Sequence, residues 1–403
     1  MTLIRSLSHR AFAFLWSGQT ISQLGDNMYR FTLVWWATNQ TNSALETSAI
    51  LFCSVLPMLL FVLIGGVAVD RWPRVPIMLI SDITRGIVVL FVALLAQQGT
   101  LEIWHIYVAS LIFGTVDAFF QPAFTALVPE ITPAEVLPSA NSLSTISQRT
   151  MGVVGPMLGV TLVALVGTAG VFAINGLSFF LSALFLLPLL SLTRTPAEPE
   201  PATSMLSEVR EGLATVTGSP WLWITISIFA LGNITSSAPF MIALPFLVKE
   251  SLNGEIDTFG LARSMLSLGV VLGALWLGRQ QVIRRRGLTG YGAWLIGGLL
   301  TLAIGLPIGG VGIAIASLIV GITTGVFALI WTNTLQQLVP RDMLGRVSSI
   351  DYLGSFLLLP VGYALVGWAT DALGAAAVFI IGGALTMGLA VLGLLHPAIR
   401  NLD

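Results

Sequence analysis

Residues 194–204 read RTPAEPEPATS, and the fold turns on this short polar stretch. Its proline and glutamate content favours an extended, solvated connector. The surroundings are of another kind. Of the 403 residues, 55% are hydrophobic and only 9% are charged, and the mean hydropathy is +0.91. A water-exposed domain carries about 25% charged residues, so a soluble globular fold is excluded. Working outward, apolar runs fall at 12–38, 47–69, 76–97, 103–125, 138–165 and 169–192 before the connector. After it they fall at 219–248, 257–278, 289–308, 310–336, 344–369 and 373–395. A helical crossing needs about 20 apolar residues, and each run is long enough. Directly behind the connector, Leu206, Val209, Leu213 and Val216 recur at helical spacing beside Glu208, Arg210 and Glu211. That pattern predicts an amphipathic segment on the inner membrane surface.

The expectation is therefore an all-α integral membrane protein. Twelve transmembrane helices form two pseudo-symmetric six-helix bundles around a central cavity. Residues 1–193 make the first bundle, 194–218 the cytoplasmic linker and 219–403 the second. The halves echo each other. TALVPEITPAEV follows the fourth run and QQLVPRDMLGRV the tenth, and each next run carries a proline, Pro156 in GPMLG and Pro360 in LPVGY. In register with the six-plus-six division, this reads as duplication, and paired six-helix halves are an architecture of alternating-access transporters. Arginines such as Arg5, Arg10, Arg71, Arg74, Arg85, Arg194, Arg284, Arg346 and Arg400 fall on one face if both termini are cytoplasmic. The other face holds Lys249, Glu46, Glu102 and Glu250, with Arg263 near it as a snorkelling residue.

Several functions are excluded. Lys249 is the sole lysine, so no phosphate-binding loop with its obligatory lysine exists, and with it no built-in ATPase. There is no HExxH, and the serines lack a plausible histidine partner, which argues against an enzyme. Cys53 is the single cysteine and the three histidines are scattered, so no metal set is expected. A net charge of −1 offers no field for nucleic acid.

The loop after the second run, GGVAVDRWPRVPIM, resembles the diagnostic loop of the major facilitator superfamily at Gly66, Asp70, Arg71 and Arg74. It departs from that pattern at Pro73 and Val75, and SDITR supplies the common extension, Asp82 and Arg85. GPMLG, with Gly155, Pro156 and Gly159, is similar to the antiporter Gly-Pro helix-bend motif. LWSGQTISQLGDNMYRFTL, FFQPAFTALVP, PSANSLSTI and VPRDMLGRVSS resemble the third drug:proton antiporter group, which includes macrolide-type efflux pumps and siderophore exporters. Two features depart from that group: the fourth run lacks an arginine, and Asn175 stands where an acid is common.

The resemblance implies a cavity lined by the first, fourth, seventh and tenth runs. The residues agree. Gln19, Gln23, Asp26 and Arg30 share one helix face, as do Ser110, Gly114, Asp117, Gln121 and Thr125. Asn233, Ser236, Ser237 and Phe240 follow on the seventh run, and Thr324, Phe327, Trp331 and Thr334 on the tenth. Polar and aromatic groups together suit a bulky amphipathic substrate. At about 1.5 Å per residue, Asp26 lies roughly 21 Å into its run, Arg149 roughly 17 Å into the fifth, and Asp117 roughly 12 Å from the inner end of the fourth. Charges at such depth are paired or wetted. Asp26, Arg30, Asp117 and Arg149 are thus read as a proton and substrate site, the alternative being a fixed ion-pair brace. Arg149 is expected to partner Asp26, and Asp117 has the alternative of pairing with Arg74 or Arg71. Asp70 is expected to cap the helix starting near Leu344 when the cytoplasmic side is closed, with Asp351 and Arg346 beside it.

The function expected from these features is proton-coupled export of amphipathic compounds across a bacterial cytoplasmic membrane. Export of an endogenous metabolite such as a siderophore, movement of a lysolipid, and a non-transporting receptor or scaffold are the alternatives. Its partners are a small amphipathic substrate, protons and the lipid bilayer. No cofactor is expected, a monomer is the expected state, and the proton gradient supplies the driving force.

Overall fold

Proline, glycine and short polar turns punctuate the apolar runs, and helices form between them. The computed structural model describes residues 5–191, 205–251, 256–280, 284–340 and 343–403. The connector at 194–204 and the side chains of Asp70 and Glu208 lie outside the described residues. Within them all regular structure is helical.

The helices are α1 (Arg10–Thr41), α2 (Ala44–Arg71), α3 (Arg74–Gln98), α4 (Ile103–Ile131), α5 (Leu137–Leu186), α6 (Met205–Gly218), α7 (Pro220–Gly232) and α8 (Ala238–Ser251). They continue as α9 (Ile256–Gly278), α10 (Arg286–Ile304), α11 (Gly309–Leu338), α12 (Leu344–Phe356), α13 (Leu359–Leu373), α14 (Ala375–Leu395) and the short α15 (Pro397–Arg400). All twelve expected spans fall on helical segments, while length and apolarity alone select ten. The difference has two causes. Spans five and six run together, broken only at Gly167, whose φ of 72° and ψ of 173° leave the helix. The other is α1, which is 32 residues long but carries Gln19, Gln23, Asp26 and Arg30 and is not among the ten.

Two expected spans are themselves interrupted. α7 passes into α8 through one wide turn, Asn233–Ser237, in which the Ala238 amide bonds the Asn233 carbonyl five residues back. α12 stops at Phe356 and α13 restarts at Leu359, where Pro360 sits in the first turn and lacks the amide an unbroken helix requires.

The chain divides into two compact units, Met1–Asn42 with Ala49–Glu200, and Ser43–Ser48 with Pro201–Asp403. In the first, α1 and α3 pack along α5 around Tyr29, Phe113, Phe172 and Phe179. In the second, α9 packs on α11 and α10 on α14. Ser43–Ser48 group with the second unit because the Asp371 carboxylate accepts from the Ala44 amide at 2.6 Å, the Leu45 amide at 3.0 Å and the Ser43 hydroxyl at 2.7 Å.

Close helix crossings repeat in both units. A Cβ on Gly65 or Gly114 would strike the backbone carbonyls of Ala118 and Ser54, so α2 and α4 touch backbone to backbone. Gly269, Gly273, Gly321 and Gly325 do the same between α9 and α11, against the carbonyls of Leu318, Ile322, Leu266 and Val270. Small residues at such crossings are how membrane helices gain packing contact without a hydrophobic drive.

The amphipathic α6 also makes contacts with protein. Val216 is buried among Leu222, Ile226, Leu335 and Val347, and Glu211 bonds Arg346 of α12 at 2.6 Å. Part of its apolar stripe therefore docks on protein.

Candidate functional site

Charged residues inside the first unit gather on α1, α3 and α4. Asp82 and Arg85 lie one turn apart on α3, and their side chains are 0% and 4% exposed. Asp82 Oδ1 accepts from Arg85 Nη2 at 2.7 Å, and Asp82 Oδ2 accepts from the Ser182 hydroxyl at 2.8 Å. The Ser182 oxygen in turn accepts from Gln19 Nε2 at 2.9 Å. Arg85 Nη1 reaches Asp117 Oδ1 at 3.3 Å, and Asp117 Oδ2 lies 3.5 Å from Arg30 Nη2.

The Arg85 guanidinium is flanked by two rings, with its carbon 4.1 Å from the Phe120 centroid and 4.7 Å from that of Phe179. Cation–π contact on that scale partly replaces lost hydration. Arg30 is more open. Its side chain is 59% exposed and lines a hollow of about 50 Å³ with Tyr29, Ser54, Ser110 and Phe113, which is space enough for water. Asp26 is held differently, by Asn175 Nδ2 at 3.4 Å, and Asn175 Oδ1 accepts from Ser178 at 3.2 Å. Among the described residues Asp26 forms no ion pair. The set contains three carboxylates and two guanidiniums, so with every group ionised it carries one excess negative charge.

This arrangement corrects several expectations. Asp82 and Arg85 are not part of the loop between α2 and α3. They lie eight and eleven residues inside α3 and form the centre of the network. Arg149 does not reach Asp26; it is exposed and, among the described residues, in no ion pair, and the Asn175 amide holds Asp26 instead. Asp117 does not pair with Arg74 or Arg71. Arg74 pairs with Glu130 at the end of α4, and Arg71 is exposed. Gly66 faces open space, and its neighbour Gly65 makes the close approach. Gly155 and Gly159 form a packing face, since a Cβ on either would meet Asn27 or Phe31 of α1. The only backbone inside α5 that departs from helical angles is Gly167, not the Pro156 motif. Asp351 accepts from Trp331 Nε1 at 3.0 Å and from Ser355 at 3.4 Å, while Arg346 pairs with Glu211.

The second unit contains a cavity of about 200 Å³ between α8, α9, α10 and α11. Ser236, Ser237 and Phe240 line it as expected of the seventh span, and Thr324 as expected of the tenth. The other expected lining residues are used for packing. Asn233 is buried and donates to the Ser355 carbonyl at 2.9 Å. Phe327 stacks on Phe229 with centroids 5.2 Å apart and packs edge-on to Tyr291, and Trp331 is the donor to Asp351. Gln121 is exposed, whereas the Gln23 Oε1 is buried without a partner. Arg263, expected to snorkel outward, lines this cavity instead. A depth count from the start of α9 places it about 10 Å in, too deep for a surface residue, and that was the available signal. No cluster of three His, Cys, Asp or Glu side chains suits a metal among the described residues.

The chain is similar to the uncharacterized MFS-type transporter YfiS of Bacillus subtilis, at 28% identity over 96% of this chain and 93% of that one. Macrolide efflux protein A of Streptococcus pyogenes is 23% identical over 97% of both. The enterobactin exporter EntS of Shigella boydii is 27% identical over 81% of this chain and 79% of its own. Among solved structures, a POT family transporter in complex with a thioalcohol-conjugated peptide shares the fold with a TM-score of 0.77. Its identity to this chain is 12%, covering 96% of each. The family model described as Major Facilitator Superfamily matches residues 15–350, so this multi-pass helical membrane protein belongs to that superfamily.

Proposed function

We propose that the protein is a secondary active transporter that exports amphipathic compounds by alternating access, coupled to proton entry across the bacterial inner membrane, with both termini cytoplasmic. The observation that carries this reading is the charge set of the first unit. Placing ionisable groups at membrane depth is costly, and the default physical reason for tolerating them is ion or proton movement. A static brace would use matched charges. Here three carboxylates face two guanidiniums, so binding one proton brings the set to neutrality.

Asp26 is the carrier in this reading. Asp82 and Asp117 are each held by Arg85. Among the described residues Asp26 pairs with only a neutral amide, at 3.4 Å, so its carboxylate gains and loses a proton without breaking an ion pair. A conformational change that alters its hydration or its distance from Arg30 then loads or releases that proton. Similarity to a macrolide efflux protein supports export of a bulky amphipathic compound. Similarity to an enterobactin exporter supports a second reading, export of an endogenous metabolite such as a siderophore.

The test is transport in proteoliposomes under an imposed pH gradient, with macrolides and aromatic acids offered as substrates. Uphill movement that collapses with a protonophore supports the proposal. Transport that is indifferent to the gradient overturns the coupling.

A further inference from the structure

We propose that the cavity of the second unit binds the anionic end of an amphipathic compound that carries hydrogen-bond donors, with Arg263 as the counter-ion. Four features carry this assignment. First, Arg263 lines the cavity and, among the described residues, forms no hydrogen bond or ion pair. The Arg263 side chain is half-buried at the cavity wall, and a carboxylate is its best geometric match because the planar fork binds both oxygens.

Second, the hydroxyls around the cavity are already committed as donors. Ser236 donates to the Gly232 carbonyl at 2.7 Å, Thr301 to Gly297 at 2.9 Å, Thr323 to Val320 at 2.9 Å and Thr324 to Val320 at 2.8 Å. Each hydroxyl has one proton and two lone pairs, so these four offer acceptors only. They do not stabilise an anion, and they suit ligand O–H or N–H groups placed beside it. Arg263 is then the group that takes the charge, and the hydroxyls read the donors next to it.

Third, the walls are aromatic and the size is limiting. Phe240 and Trp294 line the cavity, and Gly232 leaves room for the Trp294 ring, which a Cβ at that position would strike. A volume of about 200 Å³ exceeds the ~150 Å³ that holds a benzene ring but is below the ~300 Å³ at which drug-sized sites begin. The cavity thus takes one substituted ring with its acid, that is, one end of a larger molecule. Fourth, Ser236 and Ser237 reach the cavity from the wide turn Asn233–Ser237. Such π-bulges occur frequently at functional sites.

The assignment deepens the export reading and rests on it for its biological role, but its test does not require transport. Full-length protein purified in detergent is titrated calorimetrically at pH 7.5 with 3-hydroxybenzoate, benzoate and methyl 3-hydroxybenzoate. The wild type is expected to bind 3-hydroxybenzoate at least about tenfold more tightly than its ester, the scale of one charged hydrogen-bonded pair. Arg263→Gln abolishes that preference, and Arg263→Lys restores part of it. Thr301→Val and Thr323→Val each reduce the preference for 3-hydroxybenzoate over benzoate.

Equal binding of acid and ester by the wild type, or an Arg263→Gln protein that keeps the preference, overturns the assignment. Should Arg263→Gln not yield monodisperse protein, the wild-type comparison together with Thr301→Val decides it. Arg263-dependent binding without uphill transport would remove the export reading and keep the site. Transport without Arg263-dependent binding would do the reverse.

Discussion

The two units share a helical plan and glycine-mediated crossings but use their polar interiors in different ways. In the first, charge is paired with charge: Asp82 with Arg85 and Arg85 with Asp117 in the interior, and Asp117 with the more open Arg30. In the second, the Thr301, Thr323 and Thr324 hydroxyls return their protons to their own helices, and one guanidinium lines the cavity they share. Their two prolines differ in the same sense. α5 continues through Pro156, whereas the run at Pro360 breaks into α12 and α13. The comparison separates two tasks. Charge pairing belongs to the first unit, and a cavity with one guanidinium on its wall belongs to the second.

The largest effect is expected from Arg85→Met, which strikes at the charge pairing. It leaves Asp82, and in part Asp117, buried without a counter-charge, a loss of about 3–5 kcal/mol. The measurement is a sharp fall in the melting temperature of detergent-solubilised protein. Adding Asp82→Asn should recover much of it, because two neutral groups replace two charges. A double variant as unstable as the single one would show that Arg85 matters for packing between Phe120 and Phe179, not for charge.

Glycine crossings sharpen the comparison at an intermediate scale. Gly114→Ala in the first unit and Gly321→Ala in the second each drive a methyl into a backbone carbonyl. Each is expected to cost about 1–3 kcal/mol, read from parallel melting curves. A loss in only one unit would break the equivalence of the two crossings.

Asp117→Asn is expected to be milder in stability, because Arg85 keeps Asp82 and Arg30 is already half in water. Uphill transport in vesicles should fall by roughly tenfold, one lost charged contact, while passive substrate binding is retained. Arg149→Gln is expected to change nothing beyond about twofold in the same assay, as befits an exposed side chain. A strong transport defect in Arg149→Gln would return that residue to the coupling site and undo the pairing described above.

Much of this was legible in the sequence because apolar run length is a direct physical requirement of the bilayer. The helix face carrying Gln19, Asp26 and Arg30 followed from periodicity, and the gathering of Asp26, Arg30 and Asp117 in one region followed from depth. What the sequence concealed was which faces meet. Asp82 and Arg85 read as the end of a loop motif because they closely follow Arg74, although eleven residues of helix carry Arg85 about 17 Å inward. Arg149 has the same apparent depth as a buried residue but lies on the exposed side of α5, a distinction that spacing along one helix does not hold. Phe327 and Trp331 read as lining in the sequence because aromatic residues serve core and cavity equally well. Only the neighbouring rings of Phe229, Tyr291 and Trp294 and the carboxylate of Asp351 decide between them.

The central claim is that Asp26 carries the coupled proton while the Arg85-centred pairs hold fixed charge. Its most direct measurement is substrate-induced proton release from detergent-solubilised protein in weakly buffered solution, comparing the wild type with Asp26→Asn. The account predicts proton release from the wild type on substrate addition, and none from Asp26→Asn, which still binds the same substrate. An Asp26→Asn protein that releases protons as the wild type does, and still pumps uphill, would contradict it and move the carrier to Asp117 or Asp351.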